Sequence, residues 1–293
     1  MSERILPSDE EVLALWPGPG SITWQRAADA RTLLAAGYAL VLQVAHPTVG
    51  AGVAEHSSYR EDPWGRLFRT LDFTNALIYC EPAVSAAVAR SVRARHRQIK
   101  GLKADGSRYH ALAPDAYAWV WASLFGSVIS AHAHFGRPLR SREREAFWSE
   151  WRGLGRLLGI RERDLPADLR QYDSYFERMT TEVLEDNESV HCVIDSLREP
   201  ADPPLPRYAR PAWRLGRLPS SHALELATVG LLPPSLRARF GLDWTFAQQL
   251  ELRTLGLAAR AATPLMPDRL RVTGPTYLQW RGEENVWRRA GAA

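Results

Sequence analysis

Residues 81–100 read EPAVSAAVARSVRARHRQIK, and this stretch decides the fold class. Glu81-Pro82 opens it, and proline suits the first turn of a helix, where its missing amide hydrogen has no partner to lose. Val84, Val88, Val92, His96 and Ile99 follow at intervals of four, four, four and three. That spacing lays them along one side of a helix, so the reading is an amphipathic helix with His96 on its apolar stripe. Gly101 and the turn at 104–107 predict its end.

The same periodicity recurs along the chain, whereas alternation of period two is scarce. The expected fold class is therefore all-α, with a single helical domain over 1–293. Ser21 or Thr23 caps a helix running through Arg31 to about Ala45, and Pro47 with Gly50 and Gly52 ends or kinks it. Asp62-Pro63 starts the next helix, which carries Arg66, Arg69 and Thr70. Ala113-Pro114-Asp115 opens a long uncharged helix. Further helices are expected over 139–158 and 168–192. Residues 199–221 hold six prolines and read as an irregular connection within the domain. Helices near 221–231, 234–240 and 243–262 follow it.

Composition narrows the function. An apolar content of 45% and a charged content of 24% are those of an ordinary folded chain. The net charge is +4, but the cations are arginines scattered among acids, with Lys100 and Lys103 the only lysines. No basic tract results, so nucleic acid is not an expected partner. The two cysteines form no CxxC or CxxCH, which excludes covalent c-type haem attachment through its usual motif. The first sixteen residues carry four acids and no basic-then-apolar pattern, which predicts a cytoplasmic protein. Residues 32–54 and 116–136 lack Asp, Glu, Lys and Arg and are long enough to span a bilayer. The first holds Gln43, His46, Pro47 and three glycines, and the second holds three serines and two histidines. Both are expected to be buried core helices, with weak membrane contact as the secondary expectation. Eleven tryptophans suit a protein that encloses a flat ligand.

The chemistry-bearing residues fall into three groups. A neutral imidazole on an apolar wall can ligate haem iron, and nearby cations can hold the propionates. His96 is placed for the first role. Arg93, three residues before it, and Lys100, four after, are its expected neighbours on one helix face. The plain alternative is a core histidine bonded to a backbone carbonyl beside two solvated cations. Arg66, Arg69 and Thr70 share a face of their helix; the alternative for them is a surface ion-pair cluster with Asp62 and Asp72. His46, in Gln43-Val44-Ala45-His46-Pro47, is a candidate polar group for a distal pocket, or else a helix-terminal histidine that satisfies freed carbonyls.

Other constellations are weak. Glu188-x-x-His191 is a lone motif where a di-iron bundle needs two. His132 and His134 are two residues apart and face different directions. HExxH, P-loop, GxSxG and GxGxxG patterns are absent.

Four segments, QVAHPTVGAGVAEHSSYREDPWGRLFRT (43–70), VRARHRQIKG (92–101), RYHALAPDAYAWVWASL (108–124) and TVGLLPPSLRARFGLDWT (228–245), carry a resemblance. In their order and content the chain resembles the oxygenase family that includes bacterial latex clearing protein, a rubber oxygenase, and the fungal mycophenolic-acid-pathway oxygenase. The resemblance implies an all-helical fold with a globin-like core and non-covalent haem b. It implies a proximal histidine in an Arg-x-x-His-x-x-x-Arg pattern, matched here by Arg93, His96 and Lys100. It implies a distal Arg-x-x-Lys-Thr pattern, matched by Arg66, Arg69 and Thr70 with arginine in the lysine's place. Lysine can deprotonate and ligate iron, and arginine cannot. The family's distal glutamate has no clear counterpart, and His46 is the substitute.

The expectation is a haem b-dependent oxygenase that takes dioxygen and a small or medium apolar substrate, by oxidative cleavage of a carbon–carbon double bond or by hydroxylation. His96 ligates iron. Arg69 and Thr70 polarise bound oxygen, and His46 shuttles protons. Arg66, Arg93 and Lys100 position the propionates. The alternatives are a helical binding protein for a lipophilic ligand, and a haem sensor without turnover.

Overall fold

The structure, a computed structural model, describes residues 6–57, 62–103 and 105–282. Residues 58–61 of the first resembling segment and Ala104 of the expected turn lie outside them. The described chain is mostly helical. In order come α1 (Asp9–Leu15), α2 (Ile22–Ala27), a 3-10 helix (Ala30–Ala35), α3 (Ala36–Val44), α4 (Pro47–His56), α5 (Pro63–Tyr79) and α6 (Pro82–His96). A hairpin of β1 (Lys100–Leu102) and β2 (Arg108–His110) separates these from α7 (Pro114–Phe135), α8 (Ser141–Leu157), α9 (Leu169–Arg178) and α10 (Glu188–Arg198). The chain continues through α11 (Arg210–Leu231), α12 (Pro234–Arg239), α13 (Phe246–Ala262), α14 (Asp268–Arg271) and α15 (Gly274–Arg281).

Capping fixes where these helices begin. Asp62 accepts the Gly65 amide at 2.8 Å with Pro63 behind it, so α5 starts where the sequence indicates. Ser21 caps Trp24 at 3.0 Å and is the residue that starts α2.

α7 is the central element. Trp119, Trp121, Phe125 and Phe135 are buried on its different sides, as its uncharged sequence requires. One apolar cluster joins it to α5, α6 and α8, and another joins it to α3, α10 and α11. The indole rings of Trp121 and Trp151 stack at 4.4 Å. Each donates its N–H to the other's backbone carbonyl, at 2.8 and 3.0 Å. Buried indoles need such partners.

Four expectations are corrected. The helix expected from 21 to 45 is broken at Ala28-Asp29. Asp29 accepts the Arg31 amide at 3.0 Å and the Arg31 guanidinium at 2.9 and 2.5 Å. It also bridges to Val272, so the backbone leaves the helix there. Next, α6 stops at His96, and Lys100 belongs to β1, paired with His110. The hairpin closes against α4, and a Cβ on Gly101 would press on the Glu55 carboxylate and the Tyr109 ring, so glycine eases that approach. Lys100 is therefore not on the helix face of His96.

Third, α11 begins at Arg210, not near 221. Pro211 sits in its first turn and Pro219 inside it. The carbonyl that Pro219 leaves without an amide is at the exposed end of the helix, where water reaches it. Finally, Asp72 is not a surface partner of Arg66 and Arg69. It is 2% exposed and bound to Arg281.

Among the described residues, no single helix is long and apolar enough to cross a membrane. The helical pair 30–44 and 47–56 passes by length and composition, but bends by 101° at the break.

Candidate functional site

His96 sits at the last position of α6, half-buried, with its ring 5.8 Å from that of Tyr117 on the first turn of α7. Its Nδ1 lies 2.7 Å from the Val92 carbonyl, one turn back, and can only donate to it. That fixes the neutral tautomer: the proton is on Nδ1 and the lone pair on Nε2. Among the described residues Nε2 has no hydrogen-bond partner. Burial lowers the His96 pKa below its ordinary value, the Val92 contact raises it in part, and Arg95 lowers it further. A neutral imidazole with an oriented Nδ1–H is the form in which histidine binds a metal.

Two arginines flank it. Arg93 points toward the end of α8 and donates to the Gly159 carbonyl at 3.3 Å. Tyr117 donates to the neighbouring Leu158 carbonyl at 3.2 Å. Both satisfy carbonyls at a helix C-terminus, where a cation is also favoured by the dipole. Burial lowers the Arg93 pKa and pushes the Tyr117 hydroxyl up to about 12. Arg93 thus ties the histidine-bearing helix to α8.

On the other flank is Arg95, whose pKa is lowered by burial and then by Arg69 of α5. Arg95 precedes His96 by one residue, and sequence reasoning passed over it because the i±3 and i±4 rule does not select it.

The α5 residues keep the shared face read from the sequence. Arg69 is exposed and pairs with Asp62 at 3.2 Å. The Thr70 hydroxyl donates to the Arg66 carbonyl at 3.0 Å. Arg66 is half-buried. Arg69 stands near enough to Arg95 to lower its pKa. Lys100, exposed on β1, does not share the helix face of His96.

His46 is the N-cap of α4 and only 2% exposed. Its Nδ1 accepts the Thr48 amide at 3.2 Å, so it caps an amide rather than a carbonyl, and the proton is on Nε2. Nε2 is buried without a hydrogen-bond partner among the described residues and stands 3.7 Å from the Asp115 carboxylate. His46 and His96 therefore meet the same first turn of α7 through Asp115 and Tyr117. These two residues are two apart on a helix, about 200° around it. The histidines approach from different sides, and no described contact joins them.

Two further histidines are engaged elsewhere. His132 is buried with Nε2 at 3.0 Å from the Arg26 carbonyl. His191 pairs with Asp186 at 2.7 Å. Among the described residues no three His, Cys, Asp or Glu side chains converge as a metal cage. An open depression of about 490 Å³ lies on α9, lined by Arg170, Gln171, Ser174, Tyr175 and Arg178, on elements other than α5 and α6.

The chain is a helical protein built on a buried central helix, with an oriented histidine at the end of the arginine-bearing α6. Residues 24–261 match the family described as ER-bound oxygenase mpaB/B'/Rubber oxygenase, catalytic domain, and the chain belongs to that family. The chain thus carries an oxygenase catalytic domain. No curated protein and no solved structure matches it.

Proposed function

We propose that the protein is a haem b-dependent oxygenase acting on a small or medium apolar molecule, by cleavage of a carbon–carbon double bond or by hydroxylation. The carrying observation is the family match over residues 24–261; the 2.7 Å contact between His96 Nδ1 and the Val92 carbonyl, which a plain core histidine would also make, is compatible with it because it leaves the Nε2 lone pair for a metal. When bound, haem b supplies the one-electron and dioxygen chemistry that side chains lack.

The chain's own residues orient and gate. The Tyr117 ring edge and the Val92 carbonyl hold the His96 imidazole in one orientation. Arg95 places permanent positive charge beside it, and Arg69 of α5 stands near Arg95; such charges suit carboxylate side arms. Arg93 acts through position, by fastening α6 to α8 at Gly159. Arg69 cannot serve as a metal ligand and would supply only hydrogen-bond donors and charge toward a haem held at His96. Thr70 donates to Arg66 and keeps its lone pairs for a water. His46, buried and 3.7 Å from the exposed Asp115, is a proton path between interior and solvent.

The test is spectroscopic. Expressed with haem supplied, the protein is expected to show a Soret band with stoichiometric iron. His96→Ala should lose it and His132→Ala should keep it. A band that survives His96→Ala sinks the assignment. Absence of iron and of oxygen consumption with any alkene would leave a lipophilic-ligand-binding protein.

A further inference from the structure

We propose that the first half of α11, residues 210–218, is an interfacial helix that docks the protein on an anionic lipid bilayer. Two parallel stripes run along this half of the helix. Pro211, Leu215 and Leu218 follow at i, i+4 and i+7, and so do Arg210, Arg214 and Arg217, one residue earlier. On a helix the stripes run side by side, about 100° apart. All six residues are exposed, with Leu215 at 84% and Leu218 at 68%. A folded chain leaves single leucines in water routinely, but not an aligned apolar stripe with a basic border.

The helix is oriented by its third side. The Trp213 ring lies 6.0 Å from Trp64 of α5, and its N–H donates to Asp202 at 2.9 Å. Trp213 and Leu215 project about 200° apart, so anchoring the tryptophan on the body turns the leucines away from it. Gly216, between them, has open space around it: a Cβ there would meet nothing within 4 Å. Tyr208, just before the helix, is 86% exposed.

Charge selects the occupant. From 203 to 224 the chain holds four arginines and no acid. A helix with leucines on one side and arginines along their border seats its apolar side among acyl chains and its guanidinium groups among phosphates. A second copy fits less well, because residues 203–224 offer no acid to pair with the partner's arginines. The surface also suits the proposed chemistry, since apolar substrates collect in membranes. The vesicle readout is independent of cofactor and turnover.

The full chain is mixed with phosphatidylcholine vesicles, with and without phosphatidylserine, and bound protein is separated by flotation. Binding is expected on the serine-lipid vesicles, and weakening as salt rises. Arg210→Gln/Arg214→Gln/Arg217→Gln should weaken it roughly 100-fold, at about fivefold for each cation near the surface. Leu215→Ser/Leu218→Ser, which keeps every charge, should weaken it by about tenfold or more. Both variants change exposed side chains, and circular dichroism checks their folding. Equal binding by a folded variant overturns the proposal, as does salt-insensitive binding to both vesicle types. So does a soluble dimer that Leu215→Ser/Leu218→Ser dissolves while vesicles bind nothing, since the stripe is then an interface between copies.

Discussion

His46 Nε2 faces the Asp115 carboxylate across 3.7 Å, with the imidazole 3% exposed and the carboxylate 69% exposed. A buried base thus looks out through a solvated acid. Burial lowers the His46 pKa, Asp115 raises it in part, and Lys103 lowers it. His96 and His132 are lowered by burial as well.

This gives a pH dependence with a definite sign. A histidine whose folded pKa lies below its unfolded value binds fewer protons folded than unfolded. Its contribution to stability is present in full above the unfolded value, 6.5, and is lost as pH falls through the folded one. The thermal midpoint is expected to fall between pH 7 and pH 5, about the ordinary histidine range. His46→Asn keeps a capping acceptor and should flatten part of that slope. His46→Ala should also lower stability by about 1 kcal/mol through the lost cap. Asp115→Asn should steepen the slope. A midpoint equally pH-dependent in wild type and His46→Asn rejects the assignment.

Helix α15 is locked to α5 by a buried ion pair. Arg281 donates to both Asp72 oxygens, at 2.9 and 2.7 Å, and Tyr277 donates to Oδ1 at 2.6 Å. The guanidinium also lies 5.1 Å over the Phe68 ring. Removing one partner strands the other. Arg281→Ala is expected to cost about 3–5 kcal/mol in urea unfolding, as measured by the shift in midpoint. Tyr277→Phe should cost about 1 kcal/mol. Asp72→Ala/Arg281→Ala should cost less than the sum of its singles, because neither charge is left alone. Additive losses would show that the pair does not act as a unit. Both C-terminal partners lie beyond residues 24–261, yet they fix the helix that carries Arg66 and Arg69.

Local signals were legible and distant pairings were not. The Val84–Val88–Val92 stripe and the Glu81-Pro82 start predict α6, and the His96 lone pair follows from its place one turn after Val92. The periodicity of α6 runs on through Ile99 and suggests that Lys100 shares its face, whereas pairing with Arg108–His110 takes Lys100 into β1. The prolines of 199–221 hid the start of α11, since two of them are accommodated inside a helix. Asp72 looked like a surface acid beside two arginines. Its partner is 209 residues away, and no local rule reaches that far.

The support behind His96 can be probed at a glycine. A Cβ on Gly155 of α8 would stand 2.9 Å from both Cδ1 and Nε1 of Trp121. That indole is stacked on Trp151 and committed to its carbonyl, so it has little room to give. Gly155→Ala should therefore force α7 and α8 apart and cost about 1–3 kcal/mol in chemical unfolding. The same shift moves the α8 C-terminus, where Leu158 and Gly159 receive Tyr117 and Arg93. Those two side chains bracket His96, so the variant should also weaken haem uptake in proportion to its loss of stability. Serine at 155 should behave like alanine, because size rather than polarity is the obstacle. A Gly155→Ala protein with unchanged urea midpoint would show that the helix pair can slide, and that the stacked indoles do not set the spacing behind the histidine.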